Sequence, residues 1–152
     1  MNFARVLGMS ALSGTRTFVA PALVSRYSRP QSRSAIAHGL RSRQVARWLP
    51  VVALGEAVAD KFPIPDRTQP LPLAARATSG AVVALALAPD AARRSSTLVI
   101  AAAGALAAVA TAEGVYHLRR LAHNRLHIPS PVLGVIEDAG IVAAGLGLLR
   151  AA

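Results

Sequence analysis

The sequence predicts an all-α, polytopic transmembrane helix bundle of four or five spans. Three observations predict it. Hydrophobic residues make up 53% of the 152-residue chain and charged residues only 16%, against about 25% charged in ordinary soluble domains. The charges fall mostly between long apolar stretches, and the mean hydropathy is +0.44. Those stretches are rich in Ala, Leu, Val and Gly and show no sustained two-residue alternation, which argues for helices over the strands of a membrane barrel. A helix in lipid satisfies its own backbone. The length suits one integral membrane domain over 1–152. With no Cys, disulfide scaffolds, thiolate nucleophiles and Cys-based metal sites are excluded.

Five apolar stretches are expected as spans, at about 3–24, 48–62, 73–88, 97–118 and 132–149. A helix needs about 20 residues to cross a 30 Å hydrocarbon core. The first, fourth and fifth reach or approach that length, whereas the second and third are short enough to be tilted, re-entrant or extended by flanking turns. The first stretch is interrupted by Thr15-Arg16-Thr17 and by Pro21. Arg16 breaks the apolar run and Pro21 sits inside the only candidate cleavage site, Ala20-Pro21-Ala22. A retained first helix is therefore expected rather than a cleaved leader.

The connectors carry the punctuation. Residues 26–47 are rich in Arg, and within them Ile36, Leu40, Val45 and Trp48 alternate with Arg41, Arg43 and Arg47. That pattern predicts one interfacial amphipathic helix over 34–48, with a solvated basic loop as the competing reading. Pro63, Pro65, Pro70 and Pro72 exclude a helix interior there. Short polar connectors follow at 89–96 and 119–131.

The net charge is +10, and Lys61 is the single lysine among 17 basic residues. Nucleic acid is not the expected partner, because the Arg residues flank apolar spans and aromatic residues for base stacking are scarce. Arg at span ends faces anionic head groups, so the expected partner is a lipid bilayer carrying them. With five crossings the Arg residues divide almost evenly between the two sides. Residues 26–47 then fall in the cytoplasm by a narrow margin.

An internal repeat is suggested by Pro50 to Glu56 and Pro131 to Glu137, which lie 81 positions apart. In each, Pro opens an apolar run and Glu follows six residues later. An odd number of intervening spans would invert the second unit, as in many transporter folds. Chance likeness between two Ala/Val/Leu-rich runs is the alternative.

The candidate site residues are charges within or beside these spans. Glu56 and Asp60 are four apart and share a helix face, with Lys61 adjacent. Glu137 and Asp138 lie well inside the last span, and Arg16 and Arg76 are the candidate counter-charges. Intramembrane carboxylates cost a few kcal/mol unless they face the bundle interior, pair with cations or line water. They read either as a site for an ion, a proton or an anionic head group, or as structural ion pairs that fix helix packing. His117, His123 and His127 lack a metal-binding pattern, so no metal and no cofactor are expected. Gly80 with Ala84, Gly104 with Ala108 and Ala112, and Gly140 with Ala144 have the small-residue spacing that allows close helix contact. No phosphate-binding loop and no nucleophile elbow occurs, so an enzyme is not the leading expectation.

Four elements in order resemble one family. They are Gly14-Thr15-Arg16-Thr17-Phe18-Val19-Ala20-Pro21, Gly55-Glu56 to Ala59-Asp60-Lys61-Phe62-Pro63, Arg76 to Ser79-Gly80, and Glu137-Asp138 in the last span. This series is similar to the bacterial integral membrane proteins catalogued as domain of unknown function 4126. Thr15 and Thr17 depart from the Leu and Ser that the family often carries beside the Arg. The resemblance covers nearly the whole chain. It implies a multi-pass protein of the bacterial inner membrane and carries no activity with it. It also implies that Arg16, Glu56, Asp60, Lys61, Arg76, Glu137 and Asp138 form one constellation. The function expected is a small transporter or channel-like protein, helped by homo-oligomerisation to enclose a pathway. The alternatives are an enzyme or binder acting on lipid head groups, or a structural membrane factor.

Overall fold

The computed structural model describes residues 2–27, 34–59, 70–126 and 130–150. Among these residues the structure is all-helical and contains no strand. The elements are α1 (Phe3–Thr15), α2 (Val19–Tyr27), α3 (Ala35–Leu40), α4 (Arg43–Ala59), α5 (Pro70–Leu87), α6 (Asp90–Leu126) and α7 (Ser130–Arg150). Among the described residues, three segments are long and apolar enough to cross a membrane: Pro70–Leu87, Ser96–Ala122 and Val132–Arg150. The kink at Ser96 separates the polar start of α6 from its apolar length.

The core is largely apolar, but the outer surface is unlike that of a protein in water. Leu98 and Leu71 are 85% and 81% exposed, while Arg16 is 2% exposed and Ser10 and Ser13 are fully buried. Large apolar side chains on the outside and polar ones within are what lipid selects.

The expected first span is not a single helix. α1 ends at Thr15, and Arg16 has extended backbone (φ −138°, ψ 119°) before α2 starts at Val19. Pro21 favours the break. Its ring would strike the carbonyl four residues back, and it has no N–H to offer that carbonyl. A helix continuous through 21 would leave the Thr17 carbonyl without its donor, as Pro50 inside α4 does at position 46, whereas Pro21 in the first turn of a new helix costs no such bond.

The two halves then double back, and α7 shows it. Arg16 meets Asp138, the Cβ position of Gly145 faces both Leu12 and Leu23, and that of Gly8 faces Leu148. From the break, α1 backwards and α2 forwards thus run in the same direction along α7. They form a helical hairpin whose tip is Arg16 to Phe18. Asp138 is the ninth of 21 residues in α7, so the tip lies about 12 Å from one end of that helix and about 18 Å from the other.

α1, α5 and α6 pack most closely, through small residues. A Cβ on Gly14 would collide with the Ala108 carbonyl and lie 2.8 Å from Ala112 N. One on Gly80 would lie 2.5 Å from Gly104 O and 2.7 Å from Ala108 Cβ. Gly80, Ala84, Gly104, Ala108 and Ala112 thus meet at this seam, and Gly14 of α1 joins them. Gly140 has open space around it and takes no part.

The predicted amphipathic helix over 34–48 is two helices. α3 ends at Leu40, and α4 begins at Arg43 after a one-residue-pair break, with Val45 N–H donating to Ser42 Oγ at 3.4 Å. A serine that accepts from a backbone N–H three residues on starts a new helix. α4 then runs antiparallel to α2, since Glu56 reaches the start of α2 while Pro50 lies with Tyr27 near its end.

Candidate functional site

The hairpin tip is a backbone problem solved by other helices. With no N–H at position 21, the Thr17 carbonyl needs another donor, and Ser79 Oγ of α5 supplies it. The same hydroxyl lies 3.1 Å from Ser13 Oγ of α1. On the other side of the break, Thr17 N–H donates to Glu56 Oε1 (2.7 Å) and Phe18 N–H donates to Glu56 Oε2 (2.9 Å). Glu56 therefore caps α2 from α4, where the helix end favours a negative charge.

Charged side chains gather around this tip. Arg16 Nε donates to Asp138 Oδ1 at 2.7 Å, with Asp138 25% exposed. Arg119 Nε lies 3.0 Å from Glu137 Oε2. Arg76 of α5 is 8% exposed, and its Nε has no hydrogen-bond partner among the described residues. Glu56 and Glu137 offset the Arg76 charge, while Arg16 and Arg119 oppose it. The cluster among the described residues thus joins Arg16, Glu56, Arg76, Arg119, Glu137 and Asp138. Asp60 and Lys61 lie outside the described residues.

Arg119 is the member that sequence reasoning missed. Hydropathy puts it in a connector, because the apolar stretch ends at Leu118. The helix continues through it to Leu126. The available signal was the lack of any Pro or Gly between Gly114 and Pro129, which leaves nothing to stop the helix.

A groove of about 350 Å³ leads from the cluster to one end of the bundle, between α2, α4 and α7. Asp138 lies in its lining beside Val19 and Ala57, and Arg26 and Tyr27 line the other end. Val19 to Tyr27 span about 12 Å of helix. Tyr27 and Trp48 are both exposed at that end, and Arg47 lies 5.9 Å from the Trp48 ring centroid. Aromatic and basic residues together mark a membrane–water boundary. α4 and α7 flank the groove and run in opposite directions. No group of three metal-ligating residues comes together among the described residues.

A family model described as Domain of unknown function (DUF4126) matches residues 3–150. The chain belongs to the DUF4126 family. No curated protein and no solved structure matches it. The three earlier motifs of this DUF4126 chain converge on the hairpin tip. Gly14 seats α1 on α6, Arg16 binds Asp138, and Pro21 frees the Thr17 carbonyl. Glu56 holds the Thr17 and Phe18 amides, and Arg76, Ser79 and Gly80 supply a cation, a donor and a contact surface from one helix.

Proposed function

We propose that this is a small multi-pass protein of the bacterial inner membrane whose hairpin tip is the site of a transporter or channel-like pathway for a small ion or proton. The observation that carries the reading is the broken helix pair ending on charges near the middle of the bundle. Broken helices at membrane depth occur where backbone is buried in protein or lines a water-filled cavity, and transporters place their sites there. The charges form a cluster rather than one pair: Arg16 with Asp138, Arg119 with Glu137, and Glu56 and Arg76 beside the same tip, with Arg26 in the lining of the groove.

In this reading four helices cross the membrane, α4 to α7, and the α1–α2 hairpin enters and leaves by one side. Arg5, Arg26, Arg41, Arg43, Arg47 and Arg150 then lie at the open end of the hairpin, against Arg120 and Arg125 at the other end. The open end faces the cytoplasm. The opposed directions of α4 and α7, which carry the two Pro-to-Glu runs, are what an inverted repeat requires. A homo-oligomer would complete the lipid-facing walls of the pathway. A second reading, binding of anionic lipid head groups, is favoured by Arg26 and Tyr27 at the outer end of the groove.

The test uses the absence of native cysteine. Single cysteines at Ala57 and Ser79 are probed in intact membranes with a small membrane-impermeant thiol reagent. Labelling at both supports a wet pathway to the tip. Labelling of neither, in folded inserted protein, means a dry centre and makes the charges structural.

A further inference from the structure

We propose that the α2 N-terminus together with Arg76 is an anion-binding site, that Glu56 is its built-in occupant, and that the transported species is a small monovalent anion of the halide or nitrate kind. The proposal rests on the reading of the tip as a transport site and names its substrate class.

The first argument is geometric. The Thr17 and Phe18 amides, in the turn just ahead of the nine-residue α2, each donate to one oxygen of the same carboxylate. Amides at a helix start that converge on one anion are an anion site irrespective of which anion fills it. A purely structural cap is ordinarily supplied by the residue beside the helix. Here it comes from position 56 on α4, a helix with a single buried residue, Ala53. The cap is therefore carried on one of the least anchored elements around the tip, next to Ala57, which lines the groove. Rotation of the Glu56 side chain towards that groove would vacate the amides.

The second argument is charge. Asp138 has Arg16 and Glu137 has Arg119. Arg76 lies one turn before Ser79, whose hydroxyl meets the Thr17 carbonyl at the tip; it is 8% exposed, and its Nε lacks a hydrogen-bond partner among the described residues. Glu56 thus holds the amides ahead of α2 and is, with Glu137, one of two carboxylates acting on Arg76. If Glu56 swings away, the amides lose their acceptor and Arg76 loses one of its counter-charges. A single negative charge of small size restores what Glu56 supplied.

The experiment compares the wild-type chain with E56Q in detergent, in chloride or nitrate against gluconate. Gln keeps the shape and one acceptor but removes the competing charge. E56Q is expected to gain a few degrees of melting temperature, saturably, in chloride or nitrate and not in gluconate, as a ligand of the folded state requires. The wild type should respond less, and R76Q added to E56Q should abolish the response. Equal melting of E56Q in all three salts overturns the proposal. Should E56Q fail to fold, chloride efflux from vesicles holding the wild-type protein decides. Efflux above that of empty vesicles, without matching potassium leak, supports the anion class, and its absence overturns it. Labelled cysteines at Ala57 and Ser79 with no anion effect would leave the pathway reading standing and remove the anion. Unlabelled cysteines would remove both.

Discussion

Arg16 Nε and Asp138 Oδ1 are 2.7 Å apart although 122 positions separate them in the chain. This ion pair ties the hairpin tip to α7. Arg16 is 2% exposed, so removing the Asp138 charge weakens the compensation of a guanidinium with little access to water. D138N should therefore cost about 3–5 kcal/mol, as breaking a buried pair does. R16Q should cost a similar amount, and R16Q with D138N less than the sum of the two. Thermal unfolding in detergent reads this, and additive losses would show that the pair is not coupled.

The small-residue seam should be intolerant at Gly14 and tolerant at Gly140. A methyl on Gly14 meets backbone of α6, while one on Gly140 meets nothing. G14A is expected to lose the monodisperse folded species on size-exclusion chromatography, since backbone cannot yield as a side chain can. G140A should elute as the wild type does.

Ser79 should matter through its hydroxyl. S79A leaves the Thr17 carbonyl buried without its donor, a loss of about 1–2 kcal/mol. S79T, which keeps the hydroxyl, should recover part of this if the added methyl is accommodated. Equal melting temperatures for S79A and the wild type would show that water replaces the serine at the break.

The hairpin gives a sharp expectation for topology. Single cysteines at Asn2, Arg43 and Arg150 should label from the same side of the membrane, and one at Arg125 from the other. If residues 3–24 crossed as one span, Asn2 would label with Arg125 instead. Paired labelling of right-side-out and inverted vesicles separates the two arrangements.

Much of the site was legible in the sequence because charge in an apolar run is expensive and therefore conspicuous. Arg16, Glu56, Arg76, Glu137 and Asp138 stood out on that ground, and each lies at or beside the hairpin tip. Arg119 did not stand out, because a cation at the end of an apolar stretch is ordinary. Ser13 and Ser79 are small polar residues that helices in lipid carry cheaply, so nothing in their spacing announced a hydrogen bond between them.

Composition and hydropathy by themselves determined that this chain is helical and apolar enough for a membrane, but not the helix ends, since 3–24 and 34–48 each break in two and α6 runs on to Leu126. Helicity and apolarity are local properties: backbone satisfaction in lipid and the cost of charge act on a segment whatever surrounds it. Only the tertiary structure decided that 3–24 turns back on itself, which carboxylate meets which arginine, and that a glutamate on α4 caps α2. Pro21 disfavours a continuous helix without forbidding one, since α4 runs through Pro50, so both the break and the direction taken after it are set by packing. Gly8, Leu12 and Leu23 find their places along α7, and Ser79 and Glu56 take up the hydrogen bonds that the break exposes.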